Sequence, residues 1–216
     1  MASSLTERLA GCYTGAVHDV MRAMGFRDFV LPAEIRPLNP AQKLCGSLFT
    51  VSGHVETGAD AHQTLLAWTG LLSRAPSGTV ITCQPNDSTV AHMGELSAET
   101  LHLRGVRGYI VDGGCRDTEF ILRLGFPVWC RYLTPRDVVA YWLPDGFEIP
   151  IRIGRVLIHN GDYALADRDG VVILPAQAAE EIVTRTEEIM GREDLVRKAI
   201  LEGVDPQQAY LRYGKF

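Results

Sequence analysis

The sequence predicts an α/β fold, and two patterns support this. Segments with helical periodicity alternate with short apolar segments rich in β-branched and aromatic residues, at the short spacing typical of βαβ units. After about residue 147 the pattern changes to short strands separated by Asn-Gly and Asp-Gly, which are turn sequences of β-hairpins. We therefore expect a layered core of helices and strands, with hairpins added late in the chain.

The first 84 residues predict two helices and two strands. Residues 6–25 carry an apolar stripe at helical spacing that ends at a glycine. The segments "KLCGSLFTVSG" (43–53) and "GTVITCQ" (78–84) are rich in β-forming residues and predict strands. Between them, residues 59–76 predict a helix, and its expected buried side consists of Leu65, Leu66, Trp68, Thr69 and Leu72.

The next segment begins with "GELSAETLHLRGVRGYIVDGGCRDTEF", residues 94–120. Ser97 is the expected N-cap of a helix over about 98–104, and Gly105 is its expected end. The chain then predicts a short buried strand over 108–113, a second helix over 117–125 and another strand over 127–133.

The C-terminal part of the chain predicts hairpins and then helix. Turns at Asn160-Gly161 and Asp169-Gly170 separate the expected strands. Apolar residues then repeat at helical spacing from Ile182 to Met190 and from Leu195 to Ile200. We predict a single domain over residues 1–216, with a C-terminal helical extension over about residues 176–216. One face of this extension is apolar, so it either packs on a neighbouring subunit or closes its own core.

Composition and charge exclude several classes of function. A net charge of −5 and a pI near 5.7, without a basic stripe, argue against a nucleic-acid partner. There is no apolar run of about 18 residues and no signal-peptide pattern, so we expect no membrane partner and a cytoplasmic location. We expect buried, reduced thiols rather than disulfides or a zinc site at the cysteines, which are Cys12, Cys45, Cys83, Cys115 and Cys130.

Arg116 and Asp117 stand where a predicted strand passes into a helix. In an open α/β sheet this edge forms a crevice in which ligands bind. Arginine presents a two-pronged donor to a carboxylate, and aspartate is a hard ligand suited to Mg²⁺ or Mn²⁺, so the pair can hold a 2-oxo acid and its metal ion together. The same residues also fit a structural role, with Asp117 as an N-cap and Arg116 as its ion-pair partner. Glu95 likewise fits the start of a helix without any chemistry.

Residues 94–117 resemble the RraA-like family, which contains class II pyruvate aldolases acting on 4-hydroxy-4-methyl-2-oxoglutarate and 4-carboxy-4-hydroxy-2-oxoadipate. The motif is an acidic residue, twenty residues and then Arg-Asp, which here is Glu95 followed by Arg116-Asp117. The similarity extends to "GFPVWCR", to "GDYALADRDGVVILP" and to both ends of the chain. The resemblance implies a swivelling-type β/β/α domain assembled as trimers or hexamers, with sites at subunit interfaces.

The resemblance also assigns roles to the residues of the motif. It implies that Asp117 ligates the divalent metal ion, Mg²⁺ or Mn²⁺, and that Arg116 contacts pyruvate and stabilises its enolate. Backbone N–H groups of Gly94, Glu95 and Leu96 would hold the substrate carboxylate, and Glu95 would position a metal-bound water. The aldolases often carry Asp at the Glu95 position, so this chain has the longer side chain. They also draw a glutamate from the adjoining subunit's C-terminal helix, for which the candidates are Glu193, Glu187 and Glu188.

Lysine and histidine content bears on the mechanism. None of the three lysines, Lys43, Lys198 and Lys215, lies in the Arg-Asp region, which favours a metal route over a Schiff base. The six histidines show no HxH or HExxH spacing and so do not indicate zinc. His92, just before Gly94, is the histidine that we expect nearest the pocket.

Three functions are consistent with these observations. The first is a divalent-metal-dependent (class II) pyruvate aldolase that cleaves a 4-hydroxy-2-oxo acid, such as 4-hydroxy-4-methyl-2-oxoglutarate, to pyruvate and a second 2-oxo acid, with oxaloacetate decarboxylation as a side activity. The second is a metal-dependent dehydratase of a sugar acid or hydroxy acid, for which the segment "YWLPDGFEIP" (141–150) would reshape the pocket. The third is a non-catalytic regulator that binds a ribonuclease.

Overall fold

The computed structural model describes residues 4–214, so Lys215 lies outside the described residues. The helices are α1 (Leu5–Gly11), α2 (Thr14–Ala23), α3 (Ala61–Arg74), α4 (Glu95–Leu103), α5 (Thr118–Leu124), α6 (Ala179–Leu201) and α7 (Pro206–Tyr213). The strands are β1 (Arg36–Pro37), β2 (Leu44–Val55), β3 (Val80–Gln84), β4 (Gly108–Val111), β5 (Gly114–Cys115), β6 (Val128–Cys130), β7 (Tyr132–Leu133), β8 (Trp142–Phe147), β9 (Ile151–Ile153), β10 (Val156–Ile158), β11 (Tyr163–Ala166) and β12 (Val171–Leu174).

A curled, mixed sheet of eight strands forms the centre of the fold. Its order is β1-β6-β4-β3-β2-β11-β12, and β8 also pairs with β2. Neighbours within the series β2, β3, β4 and β6 are parallel, whereas β1, β8, β11 and β12 pair in antiparallel fashion. The twelve-residue β2 pairs through its first residues with β11 and through its last residues with β8. One long strand therefore joins the parallel core to the hairpin part of the chain.

The sheet separates two apolar layers, because successive residues of a strand face opposite sides. Ile81, Tyr109 and Val111 pack in one cluster with α3, α4 and α5. Val80 and Ile110 pack in a second cluster with the β9-β10 hairpin. Helices thus cover one face of the sheet and a strand pair covers the other. This β/β/α arrangement is the fold class that the family resemblance implies, with the C-terminal helix in place.

Residues 6–25 form two helices, so the prediction of a single helix over this segment is wrong. The chain leaves helical geometry at Cys12 and Tyr13. Thr14 then starts α2, and its backbone N–H and hydroxyl donate to the Asp167 carboxylate at 2.9 and 2.8 Å. These contacts join residues 153 positions apart, so local periodicity does not reveal the break.

The buried side of α3 is rotated from its predicted position. Leu65, Leu66 and Thr69 are exposed rather than buried. The residues that face the core follow the spacing i, i+4, i+7 and i+8, and they are Thr64, Trp68, Leu71 and Leu72. Leu65 and Thr69 instead line a cavity beside α4.

Helix α4 begins at Glu95 with Gly94 as its N-cap, so the assignment of Ser97 as the cap is wrong. Ser97 is buried, and its hydroxyl accepts the indole N–H of Trp68 at 2.9 Å. A buried tryptophan N–H requires such an acceptor, which explains the serine at this position. Gly105, with φ +76°, follows the end of α4, as predicted.

The turn at Asn160-Gly161 does not close a hairpin, contrary to the prediction. Strand β10 pairs with β9, whereas β11 pairs with β2 and β12. The turn at Asp169-Gly170 does lie within a hairpin, between β11 and β12.

In the C-terminal helices, the predicted apolar stripe is buried around Ile182 and Thr186, and Val196 packs with Ala209 of α7. Leu195 and Ile200 are exposed within the single chain, so packing of this face on a neighbouring subunit stays a prediction. Within residues 4–214, no helix is long and apolar enough to cross a membrane.

All five cysteines are free and buried, as expected. The extent of the domain over residues 1–216 stays a prediction.

Candidate active site

Two segments of backbone run side by side and bring the starts of α4 and α5 together. The His92 N–H donates to the Gly114 carbonyl at 2.8 Å, and the Arg116 N–H donates to the Met93 carbonyl at 2.9 Å. This short parallel pairing extends beyond the ends of β3 and β4. It therefore joins the two parts of the motif, Glu95 and Arg116-Asp117, that are separated by twenty residues in the sequence.

Asp117 occupies the N-cap position of α5 but does not cap that helix with its side chain. Its carboxylate oxygen Oδ2 accepts the backbone N–H of Glu95 at 3.2 Å and lies 3.4 Å from Arg116 Nε. Its backbone has φ +54°, a left-handed conformation that costs most non-glycine residues about 1 kcal/mol or more. The carboxylate contacts the N-terminus of α4 instead of capping α5, which the structural interpretation as a simple N-cap does not explain.

Gly94 has an extended backbone with φ −149°, so its significance lies in the space around it rather than in its backbone conformation. A Cβ atom at this position would lie 2.8 Å from Asp117 Oδ2 and 3.2 Å from Arg116 Nε. Both distances are shorter than ordinary contacts. The glycine therefore allows the loop before α4 to touch the Arg-Asp pair.

These residues line a cavity of about 440 Å³. Its polar and charged lining residues are Thr69, Glu95, Ser97, Thr100, Arg116, Asp117 and Asp137, and Gly94 also lines it. Its apolar lining residues are Leu65, Trp68, Leu72, Ala91, Met93, Val138 and Val139. Leu96 also lines the cavity and is largely exposed. The structure thus brings all five predicted site positions, 94, 95, 96, 116 and 117, together around one cavity.

Asp137 is a candidate site residue that the sequence analysis missed. Its Oδ2 lies 3.5 Å from Arg116 Nη1, so the guanidinium stands between two carboxylates. The sequence contains a second Arg-Asp pair, residues 136–137, which also follows a predicted strand. This pair could have identified Asp137 as a candidate site residue. The charged residues that line the cavity are three carboxylates, Glu95, Asp117 and Asp137, and one guanidinium, Arg116. Their formal net charge is therefore −2. A cavity with this balance favours a divalent cation.

The chemistry of Asp117 fits a Mg²⁺ or Mn²⁺ ion that keeps most of its water. Both contacts of the carboxylate are made by Oδ2, which leaves Oδ1 for another partner. Within residues 4–214, there is no group of three or more His, Cys, Asp or Glu side chains that could hold a metal ion. Magnesium is commonly held by one or two protein carboxylates plus waters and substrate, so a single carboxylate is sufficient.

His92 does not itself line the cavity, although its neighbours Ala91 and Met93 do. It is fully buried, and its ring packs edge-on against Trp142 with 5.0 Å between ring centroids. Its Nε2 lies 3.5 Å from Asp87 Oδ2. Burial lowers the pKa of His92 to about 4, partly opposed by the negative charge of Asp87. The ring is a neutral part of the core behind the loop that carries Gly94.

The C-terminal glutamates differ in how they are held within the chain. Glu187 pairs with Arg8 at 2.6 Å, and this hydrogen-bonded partner lowers the pKa of the Glu187 carboxyl. Glu193 accepts the hydroxyl of Tyr13. Glu188 is exposed. The contribution of any of the three to a neighbouring site stays a prediction.

The lysines described by the structure do not enter the site. Lys43 donates to the Ala10 carbonyl at 2.9 Å, and neither it nor Lys198 lines the cavity. A Schiff base at this cavity therefore has no candidate lysine within residues 4–214.

Comparison with known proteins identifies related chains along most of the sequence. The profile of the RraA-like family (Aldolase/RraA) matches residues 14–173. Protein DlpA of Legionella pneumophila is 27% identical over 213 residues, which cover 95% of this chain but 33% of DlpA. The chain therefore spans about a third of that relative. A Halalkalibacterium halodurans protein, provisionally named 4-hydroxy-4-methyl-2-oxoglutarate aldolase, is 27% identical over 184 residues, which are 84% of this chain and 83% of that protein.

Solved structures share the fold. A structure titled for novel cellulases from gut-associated microbes has a TM-score of 0.83 and 31% identity, covering 88% of this chain and 85% of the other. Streptomyces coelicolor RraAS2, described as an unusual member of the RNase ES inhibitor RraA family, has a TM-score of 0.81 and 24% identity, covering 91% and 98% of the two chains. The second similarity shows the fold alone. Because the family profile covers well over half of its length, this chain belongs to the RraA-like family.

Proposed function

We propose that this protein is a divalent-metal-dependent pyruvate aldolase. It would cleave a 4-hydroxy-2-oxo acid, such as 4-hydroxy-4-methyl-2-oxoglutarate, to pyruvate and a second 2-oxo acid, with oxaloacetate decarboxylation as a side activity. The observation that carries the proposal is the meeting of Arg116, Asp117 and the N-terminus of α4 at one cavity. The provisional name of the Halalkalibacterium relative supports the reaction class.

A metal ion has a specific reason to bind here. The substrate is an anion, and three carboxylates line the cavity against one guanidinium, so charge repulsion disfavours substrate binding without a cation. Asp117 would hold Mg²⁺ or Mn²⁺ through its carboxylate. When bound, the ion supplies Lewis-acid polarisation of the 2-oxo group.

The residues of the chain perform the remaining steps. Arg116 donates to the carboxylate and to the enolate oxygen of the pyruvate unit, where negative charge develops. The Glu95 N–H already donates to Asp117, which leaves the N–H groups of Gly94 and Leu96 at the helix start for the substrate carboxylate. As the C3–C4 bond breaks, the 4-hydroxyl proton leaves towards Glu95 and the electron pair passes to C3. Protonation of C3 then releases pyruvate.

We also propose that the protein works in the cytoplasm as a homotrimer or homohexamer. The exposed Leu195, Leu201 and Leu211 on α6 and α7 are consistent with burial between subunits. Glu193 is the first candidate for the glutamate that reaches a neighbouring site, and Glu187 and Glu188, which are both exposed, are the alternatives.

The proposal is tested by pyruvate release in a coupled lactate dehydrogenase assay. Oxaloacetate and 4-hydroxy-4-methyl-2-oxoglutarate are each offered with Mg²⁺ and then with excess EDTA. We expect turnover that EDTA abolishes and added Mg²⁺ restores. A dehydrated 2-oxo acid in place of pyruvate would identify a dehydratase, and a folded protein inactive on both compounds would contradict the proposal.

Regulation of a ribonuclease by binding is the second candidate, because RraAS2 has the same fold and is described within an RNase inhibitor family. Inhibition of a ribonuclease without any metal-dependent turnover would favour this function. The dehydratase candidate has weaker support. Residues 142–147 form β8 and pair with β2, and none of residues 141–150 lines the cavity.

A further inference from the structure

We infer that Asp137 is a positioning residue, which holds the guanidinium of Arg116 in the orientation that the substrate requires. Asp137 would act through Arg116, without contact with the substrate or the metal ion. This inference rests on the proposed aldolase function and adds a residue to its site.

The guanidinium of Arg116 is held at two of its nitrogen atoms. Asp117 Oδ2 lies 3.4 Å from Nε, and Asp137 Oδ2 lies 3.5 Å from Nη1. A single contact would leave the planar group free to turn about it, whereas contacts at two nitrogens restrict that rotation. Because the Arg116 side chain is 36% exposed, packing by itself does not fix this long and flexible side chain. The two carboxylates together therefore set the direction in which the remaining N–H groups point.

A metal ion on Asp117 makes the second carboxylate necessary. A divalent cation held by Asp117 attracts the same carboxylate that faces Arg116, and it repels the guanidinium. The attraction of Asp117 for Arg116 is therefore weakest in the metal-loaded site, where Arg116 has to stabilise the enolate. Asp137 keeps its contact, because its Oδ1 accepts the Val139 N–H at 3.3 Å while its Oδ2 faces Arg116.

The segment that carries Asp137 is itself fixed to the rest of the fold on both sides of this residue. The Arg136 carbonyl accepts the Ala91 N–H at 2.9 Å. The Ala140 N–H donates to the hydroxyl of Thr64 at 3.0 Å, and Thr64 is fully buried in α3. A side chain that orients another group has to be held in this way by its own surroundings.

Stability of the fold does not account for the ion pair between Asp137 and Arg116. Exposed ion pairs contribute little to the free energy of unfolding, and the Asp137 side chain is 46% exposed. Asp137 also adds a negative charge beside the position of an anionic substrate, which is unfavourable for binding. Orientation of Arg116 is a benefit that offsets this cost.

Asp137→Asn tests the inference, because asparagine keeps the size of the side chain and an oxygen for the Val139 N–H while it removes the charge. In the coupled assay with saturating Mg²⁺, we expect kcat for pyruvate release to fall by about tenfold and KM not to rise. Circular dichroism and urea unfolding check that the variant is fully folded, so that the fall in kcat is not a loss of native protein. Asp137→Glu restores the charge and should raise kcat above that of Asp137→Asn.

A double-mutant cycle shows whether Asp137 acts through Arg116. Arg116→Gln removes the guanidinium, so the addition of Asp137→Asn to this variant should change kcat by less than about twofold. Asp28→Asn is the matched control, since Asp28 is 43% exposed, pairs with Arg155 at 3.0 Å and does not line the cavity. The kcat of this control should equal that of the wild type.

Mn²⁺ binding, followed by electron paramagnetic resonance, separates positioning from metal ligation without any turnover. We expect the Mn²⁺ affinity of Asp137→Asn to stay within about threefold of the wild-type affinity, because a charge near the site is lost but no metal ligand is. A loss of affinity of tenfold or more would identify Asp137 as a metal ligand and overturn the inference.

Failure of the inference and failure of the proposed function give different results. An unchanged kcat in folded Asp137→Asn, or an equal fall in kcat in the Arg116→Gln background, would overturn the inference while pyruvate release by the wild type still supports the aldolase. Absence of pyruvate release by the wild type, with Mg²⁺ present, would overturn both.

Discussion

Replacement of Gly94 by alanine tests the close approach on which the site depends. The new Cβ would lie 2.8 Å from Asp117 Oδ2, where relaxed contacts lie near about 3.4 Å, so the carboxylate must move by roughly 0.6 Å. The same oxygen holds the Glu95 N–H at 3.2 Å, so the movement disturbs the start of α4 as well. Displacements approaching 1 Å cost about 10²-fold in rate. We therefore expect kcat/KM to fall by about 10²-fold, which corresponds to about 2.7 kcal/mol of transition-state stabilisation.

The fold should tolerate this change, because Gly94 has an extended backbone that alanine adopts readily. We expect the free energy of unfolding in urea to change by less than about 1 kcal/mol. Gly191→Ala in α6 is the control, since no atom lies within 4 Å of its added Cβ. This control should keep full pyruvate release and gain about 0.5–1 kcal/mol of stability. Wild-type activity in folded Gly94→Ala would refute the reasoning that the contact organises the site.

Three further predictions follow from the charges and burial in and around the site. Arg116→Lys should lower kcat for pyruvate release by about 10²-fold with unchanged thermal unfolding, because lysine lacks the two-pronged geometry; a kcat within a factor of two of wild type would argue against its role. Asp137→Asn removes one anion 3.5 Å from Arg116, so KM for the anionic substrate should fall by about threefold at low salt, and the difference should shrink in 0.5 M NaCl; an equal or higher KM at low salt would count against the charge argument. Burial holds the pKa of His92 at about 4, so below about pH 6.5 the unfolded state binds a proton that the folded state does not. Urea unfolding should therefore show a loss of about 3 kcal/mol as the pH falls from about 6.5 to about 4. Replacement of the exposed His102 by Asn should leave that slope unchanged; a flat wild-type profile would contradict the prediction.

The order of elements could be predicted from the sequence, because helical and strand periodicities are local. The boundaries that failed depend on distant partners. Thr14 starts α2 through Asp167, and Ser97 accepts from Trp68 instead of capping α4. The sequence of the Asn160-Gly161 turn is typical of a hairpin, yet β11 pairs with the longer strand β2 and not with β10. In each case a contact with a residue distant in the sequence determined the structure, against the local preference.

The candidate site was predictable to the extent that it lies in one motif. Glu95, Arg116 and Asp117 stand at element ends within a single stretch of sequence, so their meeting could be expected. Asp137 lies in a later loop, and its place beside Arg116 follows from the fold alone. The position of Leu65 could not be predicted either, because helical periodicity assigned it to the core, whereas it is exposed at the cavity.

The most direct test of the account is Mn²⁺ binding, followed by electron paramagnetic resonance, in the wild type and in Asp117→Asn. Asparagine keeps the size of the side chain and an oxygen for the Glu95 N–H, so the variant removes charge with little other change. We expect a bound ion in the wild type, at least tenfold weaker binding in the variant, and loss of metal-dependent pyruvate release with it. Equal Mn²⁺ affinity and equal turnover in the two proteins would contradict the central claim that Asp117 holds the catalytic metal.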